Sequence, residues 1–123
     1  ELALCVMNGM LKGLSVNKAE MQNAAKAGYL LATDFADYLV QRGIPFRNAH
    51  EIVGKAVAYC AKTDKALEEL SINEFKKFSK VIEKDIYKTL TVEASLASRD
   101  VIGGTARKRV LAEINKYKKL WKK

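Results

Sequence analysis

Residues 33–54, which read TDFADYLVQRGIPFRNAHEIVG, constrain the fold more than any other stretch of this 123-residue chain. Just upstream and within it, Leu31, Phe35, Tyr38 and Leu39 recur at i, i+4, i+7 and i+8, a spacing that gathers side chains on one face of a helix. Gly43 then offers the left-handed stop that ends helices, and Pro45 has the preset φ suited to a first helical residue. Phe46, Ala49, Val53, Ala56, Val57 and Cys60 form a second apolar stripe at helical spacing. The pattern predicts two helices around a tight corner, with Phe35, Leu39, Phe46, Val53 and Ala56 packed inside it.

The remaining segments read as helices too. Leu2, Val6 and Met10, joined by Leu4, Cys5, Met7 and Leu11, make the first segment apolar round much of its circumference, so it expects neighbours on several sides. Asn17 is placed to cap a second helix, with Glu20 completing a capping box, Val16 and Met21 as a hydrophobic staple, and Met21, Ala24 and Ala25 facing inward; Gly28 ends it. Thr63 and Asp64 break the long helix, and Ser71 with Glu74 makes another capping box, stapled by Leu70 and Phe75. Phe75, Phe78 and Ile82 continue the apolar spacing, a shorter segment runs through Ile86 and Leu90, and Thr91 caps a short helix reaching Ser98. Gly103 and Gly104 break the chain before a last amphipathic helix marked by Val110, Leu111, Ile114, Tyr117 and Trp121. No segment alternates long enough to predict a strand. The expected fold class is all-α, a small multi-helix domain built from helix-turn-helix corners.

A chain of this size with 49% hydrophobic residues and one proline can furnish a helical core. It lacks a run of roughly 18 apolar residues that would span a bilayer, and Glu1-Leu2-Ala3-Leu4 is not the basic start of a signal peptide. A soluble, cytoplasmic protein is expected. Cys5 and Cys60, both on apolar helical faces, fit reduced and buried cysteines rather than a disulfide. An apolar helix already under way at Leu2, with Glu rather than Met in first place, reads as a segment of a longer protein.

The net charge of +8 is localised. Residues 105–123 hold eight basic side chains, Arg107, Lys108, Arg109, Lys116, Lys118, Lys119, Lys122 and Lys123, against Glu113 alone. Basicity is therefore a property of the last helix, as in a solvated face or an interaction surface, and not of the whole domain. Arg107, Lys108 and Arg109 fall in a first helical turn, where the helix dipole disfavours positive charge by roughly 0.3–1 kcal/mol each. Nothing nearby in that helix compensates.

The inventory for chemistry is thin. His50 is the only histidine and lies beside Glu51, with no second His at i+3 or i+4, so a structural role is expected of it. Asp34 and Asp37 stand at a helix N-terminus, where carboxylates interact favourably with the dipole. Ser95 and Ser98 sit near Arg99 without a histidine partner in sequence, and the Gly-x-Ser-x-Gly pattern is absent. Gly103-Gly104-Thr105 has neither nucleotide-loop spacing and reads as a helix-start turn. No catalytic, cofactor-binding or metal-ligating set is expected. Two functions compete on these grounds. One is a helix-turn-helix nucleic-acid module presenting Arg47, Asn48 and Lys55 on residues 45–59, which is disfavoured by Glu51 on the same face. The other, preferred, is an accessory or assembly domain of a larger protein.

A family resemblance settles that preference. Thr33, Asp34, Asp37 and Tyr38, then Gly43, Pro45, Phe46 and Arg47, then His50, Glu51 and Gly54, continuing through Ser98, Arg99, Gly103 and Gly104, resemble the C-terminal domain of the argininosuccinate lyase family, within the fumarase/aspartase superfamily. The resemblance covers nearly the whole chain. It implies a homotetrameric parent built on a central bundle of long helices, of which residues 1–14 would be a remnant and residues 15–123 the C-terminal domain. It also implies a reversible β-elimination splitting argininosuccinate into arginine and fumarate, in active sites assembled from different subunits, without a cofactor. The family's catalytic serine rides on a Gly-Ser-Ser-x-Met-Pro-x-Lys-x-Asn loop and its catalytic histidine and substrate-binding residues come from earlier segments. Neither motif occurs here, and His50 does not match that histidine, so the chain taken alone is expected to be inactive and prone to self-association through Leu2, Val6 and Met10. Many family members have Pro and an acidic residue after the Gly-Gly-Thr-Ala turn, where this chain has Arg107-Lys108-Arg109.

Overall fold

The computed structural model describes residues 1–26 and 28–121, so Lys122 and Lys123 of the basic cluster lie outside the described residues. The described residues form eight α-helices: α1 Leu2–Lys12, α2 Lys18–Lys26, α3 Ala32–Gln41, α4 Phe46–Thr63, α5 Ile72–Phe78, α6 Ile86–Thr89, α7 Val92–Ser98 and α8 Arg107–Trp121, with a 3-10 turn at Leu67–Glu69. Among the described residues there is no strand.

The predicted corner is the centre of the molecule, with α3 packed along α4. Gly43 adopts φ +86°, and the backbone N–H groups of Gly43 and Ile44 bond to the carbonyls of Val40 and Leu39, closing α3. Pro45 stands one position earlier than the spacing predicts. With φ −55° and ψ 139° it lies just outside α4, its carbonyl accepting from the Ala49 N–H at 2.9 Å. Leu31, Phe35, Tyr38 and Leu39 from one helix meet Ala49, Val53, Ala56 and Cys60 from the other, all buried. Small residues at 49 and 56 let the two helices approach closely. Phe46 is a correction: at 65% exposed it stands outside the core at the first position of α4, and the stripe is buried only from Ala49 onward.

Leu67, Leu70, Phe75, Ile82, Ile86 and Leu90 close the core from the C-terminal side. The Phe35 and Phe75 rings meet edge to face with centroids 5.5 Å apart, a geometry favoured by the ring quadrupoles. Asp64, in the left-handed region at φ 51°, ends α4. Both predicted side-chain caps downstream form: Ser71 Oγ accepts from the Glu74 N–H while the Glu74 carboxylate accepts from the Ser71 N–H, and Thr91 Oγ1 accepts from the Ala94 N–H. The helix through Phe75 stops at Phe78, and Ile82 reaches the core from a turn instead.

The two ends of the chain differ from this centre. Asn17 Oδ1 caps α2 by accepting from the Glu20 N–H at 3.2 Å, yet Met21 and Ala24 are exposed rather than facing inward, and Ala25 is only half-buried. Every residue of α1 is exposed, including Cys5, which corrects the expectation that both cysteines are buried. None of the residues of α8 is buried either. The apolar periodicity of these helices is real, but nothing among the described residues covers it.

Candidate functional site

The polar signature residues converge on the corner from distant parts of the chain. Asp34, on the first turn of α3, is 6% exposed. Its carboxylate accepts from Ser95 Oγ at 2.7 Å and from Arg99 Nη2 at 3.1 Å, while Arg99 Nη1 lies 3.8 Å from Asp37. Helix-end electrostatics alone was the expectation for these two acids. Instead Asp34 ties α3 to α7, and both acids take part in one bridge, because Thr91 caps α7 so that Ser95 and the chain just after Ser98 face the start of α3. Ser98 Oγ donates to the Ser95 carbonyl at 2.8 Å.

A second cluster sits at the other end of α3. Tyr38 Oη donates to Asp85 Oδ1 at 2.9 Å and accepts from the Glu83 N–H at 3.1 Å. Arg42 lies over the Tyr38 ring at 4.5 Å, bonds to Asp85 and donates to the Val81 carbonyl at 3.1 Å. Burial raises the Tyr38 hydroxyl above the usual tyrosine range, and hydrogen bonds from Tyr38 and Arg42 hold Asp85 below the usual carboxylate range. A third cluster centres on Glu74, which accepts from Lys65 and Tyr59 at 2.9 Å each as well as from Ser71. Lys65 first, then the Ser71 donors, hold its carboxyl far below the normal range.

These shifts decide what the clusters can do. Asp85 and Glu74 are pushed toward permanent charge, Tyr38 and Tyr59 toward their protonated forms, and burial likewise raises the Cys60 thiol. A general acid or base needs the opposite, a group poised near neutral pH. The arrangement ties α3 to the segments that follow α4. Among the described residues no three His, Cys, Asp or Glu side chains gather in a metal-binding group.

The remaining signature residues line the surface of the corner. Thr33, Arg47, His50, Glu51 and Gly54 are exposed, with the His50 ring 6.4 Å from that of Phe46. Lys55 is engaged by Glu51 at 2.7 Å, which removes a cation that a nucleic-acid reading of α4 would need. Gly103 adopts φ +79°, and at Gly104 a Cβ would lie 2.0 Å from the Arg99 carbonyl oxygen, so the turn admits only glycine there. Asp100 in this turn explains part of the charge anomaly in the first turn of α8, since its carboxylate pairs with both Lys108 and Arg109. Nothing in the structure accounts for Arg107.

Sequence reasoning did not anticipate Arg42, Asp85, Glu83 or Asp100. No short-range signal marks them, since Arg42 meets Asp85 across 43 positions and Arg99 meets Asp34 across 65.

Fold and clusters together define a small all-helical domain clamped by ion pairs around a Gly-Ile-Pro corner. A family model described as Argininosuccinate lyase C-terminal matches residues 29–97, the stretch that contains the corner and the Asp34 and Tyr38 clusters except for Ser98 and Arg99. The chain belongs to this family. It is 46% identical over 114 residues to argininosuccinate lyase of Acetivibrio thermocellus, covering 93% of this chain and 25% of that protein. It is 50% identical over 114 residues to argininosuccinate lyase of Syntrophotalea carbinolica, again 93% and 25%, and 43% identical over its full 123 residues to that of Caldicellulosiruptor bescii, 27% of that protein. The chain spans about a quarter of the length of the curated relatives it matches.

Proposed function

We propose that this chain is the C-terminal assembly domain of a homotetrameric, cytoplasmic enzyme that cleaves argininosuccinate reversibly to arginine and fumarate, in arginine biosynthesis. Residues 1–14 are the end of a helix from the enzyme's central bundle, and residues 15–123 are the C-terminal domain. The observation that carries this reading is the identity of 43–50% to argininosuccinate lyases across 93–100% of the chain. The polar clusters support a structural role for the domain itself: Asp34, Arg99, Tyr38, Arg42 and Asp85 are used up in bridges between helices. Argininosuccinate, arginine and fumarate are bound by other parts of the enzyme, and neither a cofactor nor a metal is required of this domain. Among the described residues no helix is long and apolar enough to cross a membrane.

The test is turnover by the full-length polypeptide carrying this stretch, supplied with argininosuccinate and followed by the ultraviolet absorbance of fumarate. Fumarate release is the expected result. A well-folded full-length protein that fails to turn over argininosuccinate would contradict the reading.

A further inference from the structure

The last helix hangs on very little. None of the fifteen residues of α8 is buried, and Ala106, just before it, is the last buried residue of the described chain. Ala106 pins the start of the helix, its N–H donating to the Arg99 carbonyl at 3.4 Å. Farther along, a groove of about 480 Å³ separates the Gly103–Gly104 turn from Val110, Ile114, Tyr117 and Trp121, so packing does not take over the hold. Among the described residues, the side chains of α8 that bond to the rest of the chain are those of Lys108 and Arg109, and both go to Asp100. Arg109 Nε donates to one carboxylate oxygen at 2.7 Å and Lys108 pairs with the other, while Arg109 Nη2 donates to the Asp100 carbonyl at 3.4 Å.

A helix pinned at one point can swing, and a second anchor sets its direction. We infer that Asp100 is a charge latch that fixes the angle of α8 to the core, and that α8 swings about Ala106, still helical, when this pairing is lost. The base of the latch is firm. Arg99, the residue before it, bonds to Asp34 on α3, and the backbone at Gly104 passes close against the Arg99 carbonyl. Its partners are not firm: the side chains of Lys108 and Arg109 are 71% and 43% exposed, and exposed ion pairs are weak and screened by salt. The latch therefore opens at high ionic strength while the core, held by buried side chains, stays closed. The Lys116–Glu113 pair and the Tyr117–Trp121 ring contact lie within α8 and travel with it. Over a helix of this length, about 22 Å, a modest rotation at Ala106 carries Trp121 a long way.

Trp121 is the only tryptophan of the chain, so its emission reports on the far end of α8 alone. The experiment is the time-resolved fluorescence anisotropy of Trp121 in the 123-residue chain, with far-ultraviolet circular dichroism on the same samples. At about 0.1 M salt, Asp100→Asn should raise the amplitude of the fast, nanosecond component at least about twofold, with ellipticity unchanged. Raising the salt to about 1 M should move the native chain toward the Asp100→Asn value and leave the variant where it is. Glu113→Gln, which removes the carboxylate within α8 itself, should behave as the native chain does. An Asp100→Asn decay that matches the native one overturns the latch, since the turn alone would then fix α8. A native decay that ignores salt overturns it as well. Ellipticity lost together with the gain in mobility overturns it in a third way, making Asp100 a support of helix formation rather than of helix direction.

Discussion

Replacing Asp34 by alanine separates two accounts of the acidic residues at the start of α3. If Asp34 only complements the helix dipole, its loss costs roughly 0.3–1 kcal/mol. The structure demands more. The Ser95 hydroxyl bonds to this carboxylate at 2.7 Å, and hydrogen bonds to charged groups contribute about 1.5–3 kcal/mol. The Arg99 arm adds less, about 0–1 kcal/mol, because the Arg99 side chain is 44% exposed and solvent screens the pair. Asp34→Ala should therefore destabilise by about 2–3 kcal/mol. Ser95→Ala should cost about 1–2 kcal/mol, since it leaves a buried carboxylate short of a donor. In urea, with a slope of about 1–3 kcal/mol/M, the Asp34→Ala midpoint should fall by about 0.7–3 M at unchanged slope, read by circular dichroism. An Asp34→Ala cost of about 1 kcal/mol or less, together with no effect of Ser95→Ala, would leave only the dipole and refute the interhelical clamp.

Other outcomes follow from single sites. Gly104→Ala forces the backbone away from the Arg99 carbonyl and should lower stability by about 2 kcal/mol or more. Gly43→Ala, with open space but positive φ, should cost only about 1 kcal/mol; both are checked by thermal unfolding. Glu74 titrates lower in the folded chain than its ordinary value of about 4.5, so its contribution is complete above that pH and is lost as the pH falls toward the folded value. Glu74→Gln should flatten the decline in stability below about pH 4.5, measured by urea unfolding at several pH values. His50→Ala, on the exposed face of α4, should leave kcat of the full-length enzyme within about twofold, because no proton transfer is assigned to it. A loss of a hundredfold or more with unchanged folding would make His50 part of the chemistry.

Local rules made the corner legible before any coordinates. Gly43, Ser71, Thr91 and the stripe through Phe35 and Leu39 act within one or two helical turns, and each stands where its spacing predicts. Phe46 shows the limit of the same reasoning, since periodicity names the face of a helix but not how far along that face the neighbour reaches. Met21 departs for a related reason: of the expected inward residues of α2 only Ala25, near the end of the helix, is even half-buried. The clamps of Asp34 and Arg42 were illegible because their partners are set by tertiary packing across dozens of residues. Asp100, only eight and nine positions from its partners, removes an apparent conflict by turning two of the three misplaced cations of α8 into ion pairs.

On the proposed reading, this domain holds helices together while the reaction is performed elsewhere in the enzyme. That division of labour is tested most directly by giving the isolated 123-residue chain argininosuccinate at high protein concentration and following fumarate by ultraviolet absorbance. No fumarate above the buffer blank is the predicted result, alongside turnover by the full-length enzyme in the same assay. Sustained fumarate release by the isolated chain, lost on His50→Ala, would contradict the account.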